Sequence, residues 1–211
     1  MQEIEELSVG GSVRIRGPVK FGRMDVSGAI RIEGDAEGNE LRISGSGSIK
    51  GNLKTKSIKA SGSMEIDGNL KSDEIEISGS ASIGGMVQGR EIEISGAIKA
   101  KKISASIIDI SGKARIEEIK AEEIRIHRKS EIHGTVVGKR VIIDRNAEVE
   151  RVIGDDVKIG RYAYVEYVEG KHVVVEGGAE VDILKYVEKA DISEKAEVGK
   201  VEKKIENLSR T

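Results

Sequence analysis

A motif of about seventeen residues begins at Leu7 and returns, with one-residue slips, almost to the end of the 211-residue chain. Copies start at Leu7, Met24, Leu41, Ile58, Ile75, Ile92, Ile108, Ile124, Val141, Val157, Val173 and Ala190, so each step is 17 or 16 residues. A unit this short cannot bury its own apolar face and must lie against the next copy. That condition builds a solenoid.

Within a copy the apolar residues fall at the first and third positions, the seventh and ninth, and again near the twelfth to fifteenth, as in IEISGSASIGGMVQGRE from Ile75. Alternation in short bursts is strand periodicity, and no helical i, i+3, i+4 stripe interrupts it. Branched Ile and Val fill the inward slots and suit a pleated surface. The chain is therefore expected to be all-β: a single parallel β-helix over residues 7–205, about twelve rungs of 16–17 residues, with short tails at 1–6 and 206–211. With strands about 4.8 Å apart, the rod is about 55 Å long. One core column is predicted through the third positions, Ile77, Ile94, Ile110, Ile126, Ile143, Ile159, Val175 and Ile192.

Glycine marks the corners. Gly11, Gly28, Gly45, Gly62, Gly79, Gly96 and Gly112 share the fifth position, and Gly17, Gly34, Gly51, Gly68 and Gly85 the eleventh, which predicts columns of identical turns made by positive φ or a tight bend. From the eighth rung the fifth position is Arg128, Arg145 and Arg161, and 17 of the 26 glycines precede residue 106. Two stretches of different cross-section are expected within one domain. The arginine column should be interleaved with Glu131, Asp144 or Glu148, because like charges about 4.8 Å apart repel.

Composition removes several classes of function. Aromatic residues are 2% of the chain and Trp is absent, which leaves few platforms for stacking nucleic-acid bases. A net charge of -2 with 34% charged residues mixes both signs over the surface, so no nucleic-acid partner is expected. No apolar run approaches the ~18 residues that span a bilayer, MQEIEE is not a signal peptide, and there is no Cys, so a cytoplasmic location is expected.

The chemistry-bearing residues do not converge. His127, His133 and His172 are dispersed, and no Cys or carboxylate cluster joins them at metal-ligand spacing. No phosphate-binding, dinucleotide or nucleophile-elbow motif is present. The column Ser27, Ser44, Ser61, Ser78, Ser95 and Ser111 offers six equivalent hydroxyls where a nucleophile needs one activated group, and reads as a turn-stabilising hydroxyl ladder. Tyr162 and Tyr164 should point outward. No enzyme activity, cofactor or metal is expected.

The ends carry the functional reading. An uncovered rung exposes apolar cross-section and a row of unpaired backbone groups, and neither terminus has the length of a cap. On the order of 300 Å² per end, at roughly 25 cal/mol per Å², gives several kcal/mol before the cost of association. The partner is then a second copy, met through Leu7, Val9, Val13, Ile15, Val19 and Phe21 at one end and Ile192, Val198, Val201 and Ile205 at the other.

Segments such as ASGSMEIDGNLKSDEIEISGSASIGG and RVIGDDVKIGRYAYVEYVEGKHVVVEGGAEV resemble the bactofilins, polymer-forming cytoskeletal proteins. The resemblance implies a right-handed β-helix that polymerises end to end into non-polar filaments without nucleotide, a scaffold often attached to membrane. Family members commonly carry a hydrophobic anchor, whereas Met1 to Glu6 is acidic, so direct membrane insertion is not expected. Two other classes compete: a left-handed β-helix acyltransferase, whose strict eighteen-residue rung this period does not keep, and a non-polymerising adaptor with unidentified protein partners.

Overall fold

Each rung lies directly on the one before it. The computed structural model describes residues 2–204 as parallel strands in one continuous ladder, with no helix among the described residues. The first-position residues pair in an unbroken column, Leu7 to Met24 to Leu41 and on through Ile58, Ile75, Ile92, Ile108, Ile124, Val141, Val157 and Val173 to Ala190. This is the register expected from the repeat. The rod has three faces, named here by their order within a repeat. The second face stacks Val13, Ile30, Gly47, Met64 and their successors to Val198. The third stacks Val19, Ala36, Leu53, Leu70 and their successors to Val201.

The inward residues form one apolar core from Val9 to Leu184, in which Ile77, Ile94, Ile110, Ile126 and Ile159 are all 0% exposed. Each inward methyl touches its neighbours in the rungs above and below, so burial depends on stacking. Side chains assist at two places. Asp35, Asn52 and Asn69 form a ladder at one corner: the Asn52 N–H donates to Asp35 Oδ1 at 2.6 Å, the Asn69 N–H to Asn52 Oδ1 at 2.9 Å, and the Met86 N–H to Asn69 Oδ1 at 2.8 Å. Inside the third face, the buried Thr55 hydroxyl donates to Ser72 Oγ at 3.0 Å, which donates on to the Glu74 carbonyl.

The corner glycines form the bends expected of them, and for most of them close stacking, not positive φ, is what reserves the position for glycine. Among the fifth-position residues Gly28 to Gly96 none has positive φ. A Cβ on Gly79 would lie 2.0 Å from the carbonyl oxygen of Gly62, and the neighbouring rungs repeat this contact, so the constraint is close approach of one backbone to the next. The serine beside each glycine is exposed, and it is the amide that bonds the preceding rung, as from the Ser61 N–H to the Ile43 carbonyl at 2.8 Å. The expected hydroxyl ladder is thus a backbone ladder.

From the eighth rung the cross-section changes. Strand β17 (Lys113–Ile126) turns into β18 (Glu131–Ile143) through a corner two residues longer, so Ala114 stacks on Ile132 across 18 residues. The second face shortens in compensation, with a register shift between Arg115 and Glu118. The longer corner places its sixth position in the left-handed region, at Lys129 (φ 61), Asn146 (φ 59), Tyr162 (φ 58) and Gly178 (φ 76). This relaxation admits arginine at the fifth position.

Candidate assembly surfaces at the rod ends

At the leading end, β1 (Gln2–Val9) wraps the third and first faces and pairs only with β3 (Val19–Val26), while β2 (Ser12–Arg16) on the second face pairs only with β4 (Ala29–Glu33). Among the described residues nothing pairs with their outer edges. Gln2 to Glu6, expected as a tail, are therefore the first strand of the solenoid. Because the chain climbs as it winds, the end is a ramp with a step where β3 passes over the start of β1. The Gln2 N–H closes that step on the Pro18 carbonyl at 3.2 Å, and its side-chain amide reaches the Arg16 carbonyl at 3.5 Å.

Of the residues expected at this tip, Val9 and Ile15 are buried and point inward from the outermost strands, and Leu7 and Val13 are half-buried beside them. Val19 and Phe21 require correction. They sit on β3, covered on one side by Gln2 and Ile4 and on the other by Ala36 and Gly38, and are 1% and 5% exposed. The Phe21 ring fills the space over Gly38, where a Cβ would approach it to 2.3 Å. The residue missed is Ile4, half-buried in the outermost strand; it stands seventeen before Phe21, and running the period backwards past Leu7 would have found it.

At the trailing end, β22 (Glu197–Lys203) pairs only with β21 (Glu180–Ile192). Ile192 and Val201 are 37% and 47% exposed and Val198 is half-buried, while Ile205 lies outside the described residues. Lys185 and Lys200 flank Glu202 at 3.1 and 2.5 Å, and Lys204 reaches back to Glu169 at 2.6 Å; these contacts hold both carboxyls below the usual range.

Along the sides, each histidine sits between two carboxylates from separate positions of the stack. His127 lies 3.1 Å from Asp109 and 3.6 Å from Asp144, His133 lies 2.8 Å from both Glu131 and Glu150, and His172 lies 3.1 Å from Asp156 and 3.0 Å from Glu188. Hydrogen bonds to Glu150 and then Glu131 push His133 above its ordinary value. The three remain apart, and no group of three or more His, Asp or Glu among the described residues is placed to hold a metal ion. Arg128 and Arg145 are exposed and take no part in the expected salt-bridge network, because Glu131 is engaged by Lys113 and His133, and Asp144 by His127. Tyr162 is 65% exposed, whereas Tyr164 donates to Asp182 at 2.8 Å, which pushes the phenol up to about 12. No helix is long and apolar enough to cross a membrane among the described residues.

Among the described residues the side faces thus offer paired charges and the ends offer backbone without a partner strand. Residues 7–99 match the family model for bactofilins, described as polymer-forming cytoskeletal proteins. Nothing among the curated proteins or the solved structures matches. The matched stretch covers the first glycine-cornered rungs and stops before the corner lengthens, so over residues 7–99 this parallel solenoid of about twelve rungs is similar to the bactofilins.

Proposed function

We propose that this chain is a self-assembling, non-enzymatic cytoskeletal scaffold, cytoplasmic, whose rods join end to end into non-polar filaments without nucleotide, metal or other cofactor. The observation that carries the reading is the pair of end rungs whose outer N–H and C=O rows have no partner strand among the described residues, with aliphatic side chains at their inner edge. Buried or not, such groups need partners, and another rung of the same shape supplies them most completely. Alternating head-to-head and tail-to-tail contacts, each two-fold symmetric, yield a filament without polarity. The match of residues 7–99 to a polymer-forming family supports the same reading.

Negative-stain microscopy and sedimentation of the purified protein, in chelator and without nucleotide, test it. Filaments with a subunit rise of about 55 Å are expected. Protein that stays monomeric at its highest soluble concentration, or that assembles only when nucleotide or metal is returned, would count against it.

A further inference from the structure

Granting end-to-end assembly, the leading rung carries enough detail to specify its own joint. We propose that two copies meet there about a two-fold axis through the step, so that Gln2–Glu6 of each copy runs antiparallel to Ser12–Arg16 of the other.

The shape argument comes first. The end is a ramp rising through the third, first and second faces, with its step at the corner bridged by Gln2, Arg16 and Pro18. A ramp turned over about an axis through its own step keeps its hand and meets its copy rise against rise. First face then meets first face, and the second and third faces exchange. An axis through the middle of the third face would leave the two steps at different corners.

Charge makes the same selection. The leading strand presents Glu3, Glu5 and Glu6 to solvent, and β2 presents Arg14 and Arg16. Opposing each strand with its own copy would set like charges side by side; exchange sets acid against base in both halves of the joint. The side-chain alternation fixes the register. With Ile4 placed against Ile15 on the inner side, Glu3 falls opposite Arg16 and Glu5 opposite Arg14. These groups are available: among the described residues Glu3, Glu5 and Arg16 make no ion pair, and Arg14 has only a loose contact with Glu33 at 3.7 Å.

Two charge-reversed variants test this, Glu3→Lys/Glu5→Lys and Arg14→Glu/Arg16→Glu. All four positions are exposed, so each variant should melt as the wild type does. Alone, each sets like charges across the joint and should raise the concentration needed for filaments by about tenfold or more. Mixed in equal amounts they should recover, since the reversed third face of one copy meets the reversed second face of the other. The chain has no Cys, so a Glu5→Cys/Arg14→Cys variant under mild oxidation should give disulfide-linked dimers and nothing longer. Wild-type assembly by either reversed variant, failure of the mixture to recover, or absence of linked dimers would overturn the joint while leaving end-to-end assembly standing. A wild-type protein that never assembles would sink both.

Discussion

Gly79 and Gly11 hold the same place in their rungs and should respond differently to a methyl group. A Cβ on Gly79 meets the Gly62 carbonyl at 2.0 Å, backbone against backbone, whereas at Gly11 nothing lies within 4 Å because no rung lies beneath it. Gly79→Ala should cost about 2–4 kcal/mol and Gly11→Ala within about 0.5 kcal/mol, read as melting temperatures of dilute protein. Equal losses at the two sites would contradict the close stacking. His133 gives a second residue-scale test. Its folded value is raised by Glu150 and Glu131, so its contribution to stability is fully present below the unfolded value of about 6.5 and is lost as pH rises through the higher folded value. Stability should therefore gain from this site as pH falls from about 8 to about 6, and His133→Gln should remove that part of the gain. A variant whose melting temperature follows the wild-type pH profile would show that the site contributes nothing.

At the scale of the strand, the period of the sequence is the spacing of the ladder, and this is why twelve starting positions could be read correctly without coordinates. A repeat that buries one face by stacking has no other way to align Ile110 with Ile126 than to place them in successive rungs. The corners were less legible. Glycine in a turn signals either freedom of φ or closeness of approach, and sequence cannot separate these; the close contact of Gly79 with Gly62 decides it. The two extra residues at the later corner were hidden because the second face gives up an inward position, so the overall step stays near sixteen or seventeen. The column itself is open to test. Ile126 is 0% exposed and lies between Ile110 and Ile143, so Ile126→Asp would bury a carboxylate without a partner at a cost of more than about 4 kcal/mol. A melting temperature within a degree or two of wild type would place Ile126 outside the core.

For the molecule as a whole, each rung touches only its neighbours, so stability accumulates along one dimension and is lowest at the ends. That asymmetry explains what could be read of the assembly surfaces. The expectation of a partner followed from the period, but the identity of the terminal residues depended on where the ladder starts. Beginning at Leu7 hid Ile4 and placed Phe21 one rung too near the tip. Hydrogen exchange can observe the ends directly. In dilute protein the outward amides of β1, β2 and β22 have no partner strand among the described residues and should exchange quickly, while the amides of Ile77, Ile94 and Ile110, held between rungs on both sides, should exchange only by sub-global opening. Raising the concentration until filaments form should slow exchange in the terminal strands and leave the middle rungs unchanged, because only the ends acquire new backbone partners. Slowing spread along one side face, with the terminal strands still fast, would mean that the rods associate laterally and that the open rungs are not the surfaces that join them.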